Sequence, residues 1–368
     1  MSHGRLFSFV VLSCLVTLFA GCGDSPEMIE PDIDIALPEG PSRDTQRESE
    51  TGESASEIPR RSQGELKFAL KPGARIPLSK HVQQKLVQHL SIGDVTSQSD
   101  LTLTFAIAVN AEDQGRRRLG VRYQRVQYSH DFPGEKISYD SARPQAVVPD
   151  SLQMYHGLAN NGFDFWIGAN NRIINLEDFQ NFLRRCVQYA PPDRQQELLK
   201  QIQARNEDEG FANFVDDSIG LLPYNPDAPG RETLVKVGEN WHINRDLREP
   251  LPMSIRTTYT LTDLTDTQAH VVVLGTIKPA AATQLGPLRH ASLGEKLTLV
   301  GGKVLGTIVI DVATGLPFQS HVERELQMNV YIPGEAPFQQ TKTTVTNIHS
   351  YRTNGEITTP MPAAGPVE

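Results

Sequence analysis

Three side chains in this 368-residue chain could form a hydrolytic set if the fold brought them together: Ser141 as nucleophile, Asp140 beside it and His156 further along. His290-Ala291-Ser292-Leu293-Gly294 comes near the strand-to-helix turn that presents a nucleophilic serine, but His290 stands where that turn needs its first glycine. Gly301-Gly302-Lys303 has the flavour of a phosphate-cradling loop. Val304 replaces the Ser or Thr that would meet magnesium, so the segment reads as a hairpin turn. The ten His residues form no HExxH and no close ligand pair, which argues against zinc. Glu207-Asp208-Glu209 with Asp216-Asp217 lacks calcium-loop spacing and reads as solvated helix surface. No catalytic residue, metal or cofactor is therefore expected, and the balance leans away from an enzyme.

Two other residue classes carry more. Phe163, Phe165 and Trp166 crowd into four positions, so in a strand they divide between both faces. Whichever rings stay uncovered would line a ligand cleft or a partner surface, and Trp241, after Gly238, is the other candidate. The second class is cysteine. Cys22 follows Leu18-Phe19-Ala20-Gly21, which resembles a bacterial lipobox, where the Cys is lipidated and becomes the first mature residue. Cys14 then leaves with the signal, and Cys186, on an apolar helical stripe, is read as core with no partner for a disulfide.

The elements that must position these residues begin with an address. Met1 to Arg5 is short and polar, and Leu6 to Ala20 is an apolar run too short for a comfortable membrane span, so residues 1–21 read as a lipoprotein signal peptide. Two or more acyl chains on Cys22 would anchor the protein stably. Because Gly23 separates Cys22 from Asp24, the outer membrane of the cell envelope is favoured over the inner. Residues 22–64 are rich in Pro, Ser, Glu and Asp and read as a disordered acidic tether with a reach of roughly 35 Å. That tether holds most of the formal charge of −9, and an acidic chain lacks the basic footprint of a nucleic-acid binder. Residues 354–368 read as a disordered C-terminal tail.

Between them, residues 65–353 form the body. Leu66, Phe68 and Leu70 alternate as a strand, as do Leu101, Leu103, Phe105, Ile107 and Val109. His81 to Ile92 fits either period and is assigned as strand. Arg116 to Tyr128 shifts apolar phase between Tyr123 and Val126, as a bulge would cause. Phe163 to Ile167 and Ile173-Ile174 flank Gly168-Ala169-Asn170-Asn171 as a hairpin. Asn175 is read as a helix N-cap, followed by an apolar face of Phe179, Phe182, Leu183 and Cys186 that Pro191-Pro192 terminates. A second helix from Asp193 and a continuation through Phe211 complete a helical insert near 176–220. Strands then resume at Met253 to Leu264, Ala269 to Ile277, Lys296 to Val300, Lys303 to Val312, Phe318 to Ile332 and Phe338 to Tyr351. The fold class is α+β and β-dominated: a large curved antiparallel sheet or partly closed barrel with a central helical insert.

Several phrases carry a resemblance: Tyr139-Asp140-Ser141, Leu222-Pro223, Val237-Gly238-Glu239-Asn240-Trp241, Thr258-Tyr259-Thr260-Leu261, and Gly306 to Val312 ending in Thr314-Gly315. Together they resemble an uncharacterised family of bacterial secreted proteins and lipoproteins, a domain of unknown function. The resemblance implies a secreted, β-rich body and brings no activity with it. In architecture the expected sheet is similar to periplasmic lipid carriers in which a bent sheet wraps helices. The expectation is a lipid-anchored envelope protein that binds an apolar ligand or an envelope protein partner. A structural or assembly module is the alternative, and a hydrolase the third reading.

Overall fold

The computed structural model describes residues 59–192, 194–196, 198–199, 228–247, 251–280 and 296–351. The signal, Cys22, most of the tether, the serine of the His290 phrase, the acidic pair of clusters and the C-terminal tail lie outside the described residues.

Twelve strands form one open antiparallel sheet. In chain order they are β2 (Arg75–Leu90), β3 (Gly93–Asp113), β4 (Arg116–Phe132), β5 (Glu135–Asp140), β6 (Gly162–Ile167), β7 (Ile173–Glu177), β9 (Asn240–Leu247), β10 (Met253–Leu264), β11 (Gln268–Pro279), β12 (Lys296–Asp311), β13 (Leu316–Tyr331) and β14 (Phe338–Ser350). Two more, β1 (Gln63–Glu65) and β8 (Leu234–Lys236), make a separate ribbon. The large sheet runs β7-β6-β4-β3-β2-β14-β13-β12-β11-β10-β9. The edge of β4 beyond β3 is shared, β5 pairing with Gln127–Phe132 and β6 with Arg117–Arg122.

Local chemistry sets these boundaries. Gln114 and Gly115 both adopt positive φ between β3 and β4, the backbone of a two-residue turn whose twist matches the flanking strands. The phase change in β4 is a bulge: Arg125 pairs with Thr104 and Tyr123 with Phe105, leaving Gln124 over. The 163–174 hairpin forms as expected, with Asn171 at φ 65°.

The helical insert contributes α1 (Gln153–Leu158) and α2 (Phe179–Val187). The apolar stripe of α2 is buried, Phe182 and Leu183 almost completely. Gly157 on α1 lets the two helices meet, since a Cβ there would lie 2.2 Å from the Cys186 carbonyl oxygen. Buried Asn161 stitches the insert together, donating to the carbonyls of Gly157 and Phe182 and to Cys186 Sγ. Helical backbone resumes at Pro192 and includes Leu198 and Leu199, as the sequence suggested.

Four expectations need correction. Asn175 lies inside β7 opposite Trp166; the helix instead starts after Asp178, whose φ of 54° makes the turn out of the strand. Leu66 to Leu70 joins no ladder, because side chains and loops take its backbone groups: Asn171 bonds Phe68 N and Leu66 O, and Arg117 donates to Phe68 O. Gly301-Gly302 is not a turn. It lies within one continuous strand, β12, where a bulge at Val300 shifts the register against β13 and a Cβ on Gly302 would meet the Glu325 carbonyl at 2.2 Å. Finally, the last residues assigned to the tether are paired, Arg60 with Thr265 and Gln63 with Lys236.

Three buried clusters occupy the sheet. One combines β2, β3, β4 and β6 with both helices, around Phe105, Tyr123, Phe163 and Phe182. A second gathers Leu247, Met253, Ile255, Ile277, Leu299 and Met328, and a third gathers Leu66, Trp241, Leu261, Ala269 and Ile310.

Candidate ligand-binding face

Antiparallel register fixes which residues share a face, because paired residues project to the same side. One row crosses eight strands as Val126, Leu103, Lys80, Ile348, Ser320, Ile308, Val271 and Leu261. It is apolar except at Lys80 and Ser320, both buried. The row two residues along passes through Leu101, Val82, Thr346, Val322 and Gly306 to Val273, Tyr259 and Trp241.

The next row is different in kind. His130 on β4, Ser99 on β3, Gln84 on β2, Thr344 on β14 and Arg324 on β13 form an unbroken polar stripe across five strands. His130, Ser99 and Gln84 are buried, while Thr344 and Arg324 are half-buried. Beyond it, Lys342 pairs across from Leu326, and Gln88 donates to Gln340 at 3.4 Å. Lys342, Gln88 and Gln340 are all buried.

Polar groups on a buried face cost stability unless they find partners. Most here do: Lys80, Gln84, Ser99 and Lys342 are each engaged. Two nitrogens at opposite ends of the stripe are buried with no hydrogen-bond partner among the described residues, His130 Nε2 and Arg324 Nε. Burial lowers the His130 pKa below its ordinary value against the pull of Glu135 and Asp131, so neutral imidazole is favoured.

Beside Arg324 the face is poor in side chains. Val304, its partner on β12, is flanked by Gly302 and Gly306 and pairs with Gly275 on β11. Around this glycine-lined patch Val322, Arg324, Leu326, Thr344 and Ile308 are half-buried, although their strands lie in the middle of the sheet. The arrangement is an amphipathic seat, apolar along β12 and β13 and polar along the stripe.

The sequence-nominated site residues lie elsewhere. Phe163 and Phe165 are core, Phe163 packing edge-on against Phe179 with ring centroids 5.1 Å apart. Trp166 takes the opposite face, where its indole N–H donates to Glu177 at 2.7 Å and Arg116 lies over its ring. That indole, with help from Arg118, holds the Glu177 carboxyl below its usual range. Trp241 is fully buried and stacks on Tyr259, which half-faces the seat. Of the four, Trp241 alone occupies a row that crosses the seat.

Ser141, Asp140 and His156 do not form a catalytic relay. Ser141 Oγ accepts a backbone hydrogen bond from Val126 N, Asp140 is held by Arg125 through two contacts of 2.9 and 2.5 Å, and His156 Nδ1 faces the Tyr139 hydroxyl at 2.9 Å. Cys186 is buried, and desolvation pushes its pKa up to about 12, the opposite of an activated thiol. Among the described residues no group of three or more His, Cys, Asp and Glu side chains could hold a metal ion, and no helix is long and apolar enough to cross a membrane.

No curated protein matches the chain. Solved structures give distant likenesses. A lipovitellin described for its lipid–protein interactions aligns over 79% of this chain at 11% identity and a TM-score of 0.40, and the chain spans about a quarter of that protein, 26%. DynF of the dynemicin biosynthesis pathway of Micromonospora chersina aligns at 6% identity over 83% of this chain and 94% of its own, with a TM-score of 0.22. An outer membrane channel from Pseudomonas putida F1 aligns at 9% over 77% and 97%, with a TM-score of 0.18. None of these likenesses is close enough to transfer a ligand or an activity. The family comparison is firmer: a model described as a family of unknown function, DUF6263, matches residues 114–317, from the turn before β4 to the start of β13. With more than half of its length matched, the chain belongs to the DUF6263 family of unknown function.

Proposed function

We propose that the protein is a non-enzymatic binding protein of the cell envelope, anchored through lipid on Cys22, whose seat on β12, β13, β14 and β2 takes an amphipathic small molecule. The observation that carries this reading is the polar stripe from His130 to Arg324. A sheet face built only to be covered would spend its central rows on apolar contacts, as the rows through Leu103 and Leu101 mostly do. Here buried polar groups cross that face, two with a nitrogen left unpartnered, beside a patch of glycines. An apolar body with a polar end matches such a surface, covering its apolar part while satisfying the unpartnered nitrogens. The lipobox-like Leu18-Phe19-Ala20-Gly21-Cys22 phrase and the acidic segment after it support an anchored, tethered body.

The test is native mass spectrometry on the full-length protein extracted from envelopes, with released small molecules identified. A co-purifying amphiphile near one per chain, lost in a Val322→Lys variant that remains folded, is the expected result. A ligand-free protein whose melting temperature no envelope lipid extract raises would overturn the binding reading. A stable protein complex in place of a ligand would favour the assembly alternative. For the anchor, Cys22→Ser should abolish labelling by a fatty-acid probe and release the protein from membranes.

A further inference from the structure

The first described residues tie together parts of the sheet that its ladders keep apart. In strand order β6 and β10 are eight spacings from each other, about 38 Å on a flat sheet at about 4.8 Å per spacing. The chain from Arg61 to Leu66 bonds both flanks. Arg61 N donates to Leu264 O at the end of β10, and five residues later Leu66 O accepts from Asn171 in the β6–β7 turn. Five residues reach at most about 18 Å when fully extended. The sheet is therefore curled at this end, its two flanks drawn towards each other.

Several loops hold the segment there. Arg60 and Arg61 reach Asp263 at 3.6 Å and Asp266 at 2.5 Å beside the β10–β11 turn. Ser62 O accepts from Val237 N, β1 pairs with β8, and Leu66 N donates to Thr233 O. On the other flank Asn171 also bonds Phe68 N, and Arg117 at the start of β4 donates to Phe68 O. Ala69 N donates to Thr314 O in the β12–β13 turn, where a Cβ on Gly315, at φ 70°, would lie 2.0 Å from Lys67 O. A smaller link runs alongside, Asn170 bonding the Glu232 carboxylate. Side chains follow the same division: Leu66 is buried with Trp241, Leu261 and Ile310, and Phe68 with Phe105, Phe163 and Leu316. None of these bonds belongs to the twelve-stranded ladder, so they can part without unpairing any of its strands.

We infer that Arg60 to Ala69 is a clasp: it holds the flanks of an otherwise open sheet together at one end, and when it lifts, the sheet uncurls with its ladder intact. On the anchoring reading, a pull on Cys22 reaches the body through this segment. On the binding reading, β2, β14, β13 and β12 lie between the clasped flanks, so the clasp governs how far the seat is spread.

The experiment measures the distance between the flanks by pulsed electron resonance. Spin labels go on Ala169→Cys and Thr267→Cys, both exposed, in the full-length chain carrying Cys14→Ser, Cys22→Ser and Cys186→Ala. A control pair on Gln114→Cys and Ala169→Cys reports across the β4–β6 ladder. Asn171→Ala removes the bonds to Leu66 and Phe68, and Gly315→Ala drives Lys67 off the β12–β13 turn. In each variant the flank distance should lengthen by roughly 10 Å, part of the way to the flat spacing, while the control distance and the circular dichroism stay unchanged. Where one variant unfolds, the other decides. An unchanged flank distance in a folded variant would overturn the clasp. Loss of both distances together in both variants, the mark of global unfolding, would overturn a clasp that opens apart from the ladder. The measurement needs no ligand, so either failure leaves the binding reading standing.

Discussion

Asn171 supplies the ladder that Phe68 lacks: its Oδ1 accepts from Phe68 N at 3.0 Å and its Nδ2 donates to Leu66 O at 2.9 Å, across 103 residues of sequence. The β6–β7 turn thereby clamps an incoming segment whose side chains, Leu66 and Phe68, reach two different buried clusters. Removing the amide strands two buried backbone groups at once. Asn171→Ala should cost about 2–6 kcal/mol in urea unfolding, allowing about 1–3 for each unsatisfied group. Asn171→Gly, which relieves the positive φ, should recover only the smaller conformational part. Equal stability of the wild type and the Ala variant would show that the clamp contributes nothing.

Gly302 tests the bulged strand. With Glu325 O only 2.2 Å from where a Cβ would stand, Gly302→Ala must push β12 from β13, and a loss of about 1–3 kcal/mol is expected from overpacking. Gly301→Ala has room by comparison, its nearest obstacle being 3.5 Å away, so its midpoint should move much less. A hairpin turn at this pair would give no such asymmetry.

Arg125 and Asp140 give a pH signature. The Arg125 guanidinium, with the Ala142 N–H, holds the Asp140 carboxyl at about 2, below its ordinary value of 3.8. Because the folded value is depressed, the contribution is present above the unfolded value and is lost as pH falls through about 2. Carboxyl carbon NMR should follow Asp140 titrating near 2 in the wild type and near its ordinary value in Arg125→Gln. The pair is partly exposed, so the effect on global stability should be small and should shrink with salt.

Cys186 should be silent in the native state. Iodoacetamide at pH 8, with peptides read by mass spectrometry, should leave the Cys186 peptide unmodified until denaturant is added, given a thiol pushed up to about 12 inside the α2 packing. Rapid native labelling would mean that α2 opens from the sheet on the timescale of the reaction.

Much of the sheet was readable from alternation alone. Met253–Leu264 matches β10 end to end, and the extra residue in β4 was visible as a phase slip between Tyr123 and Val126. The misreadings have local causes. Gly-Gly usually marks a turn, but at 301–302 the glycines answer a close approach of β13 that only tertiary structure creates. Leu66 to Leu70 has strand chemistry, and what denied it a ladder was the distant Asn171. Phe163, Phe165 and Trp241 marked the core because aromatic content reports burial before it reports binding.

The seat left a trace in β2 that looked like something else. Its buried side carries Leu78, Lys80, Val82, Gln84, Leu86 and Gln88 in turn. Apolar residues therefore recur every four positions, which is why the segment also fitted a helix. A strand that passes for a helix because every second inward residue is polar is the mark of a polar stripe. Which strands would lie beside it was beyond reach, since pairing between remote strands is not written in either one.

The seat also spans the join between the two ends of the body. β2 pairs with β14, and the Gln88–Gln340 hydrogen bond bridges 252 residues. During synthesis the first meander, β2 to β4, and the second, β9 to β13, can each form from neighbours in sequence, but their union waits for the last described strand. A chain cut short before β14 would keep both meanders and most of their cores, yet never assemble the stripe. On the binding reading, competence to bind is then acquired only once β14 is in place.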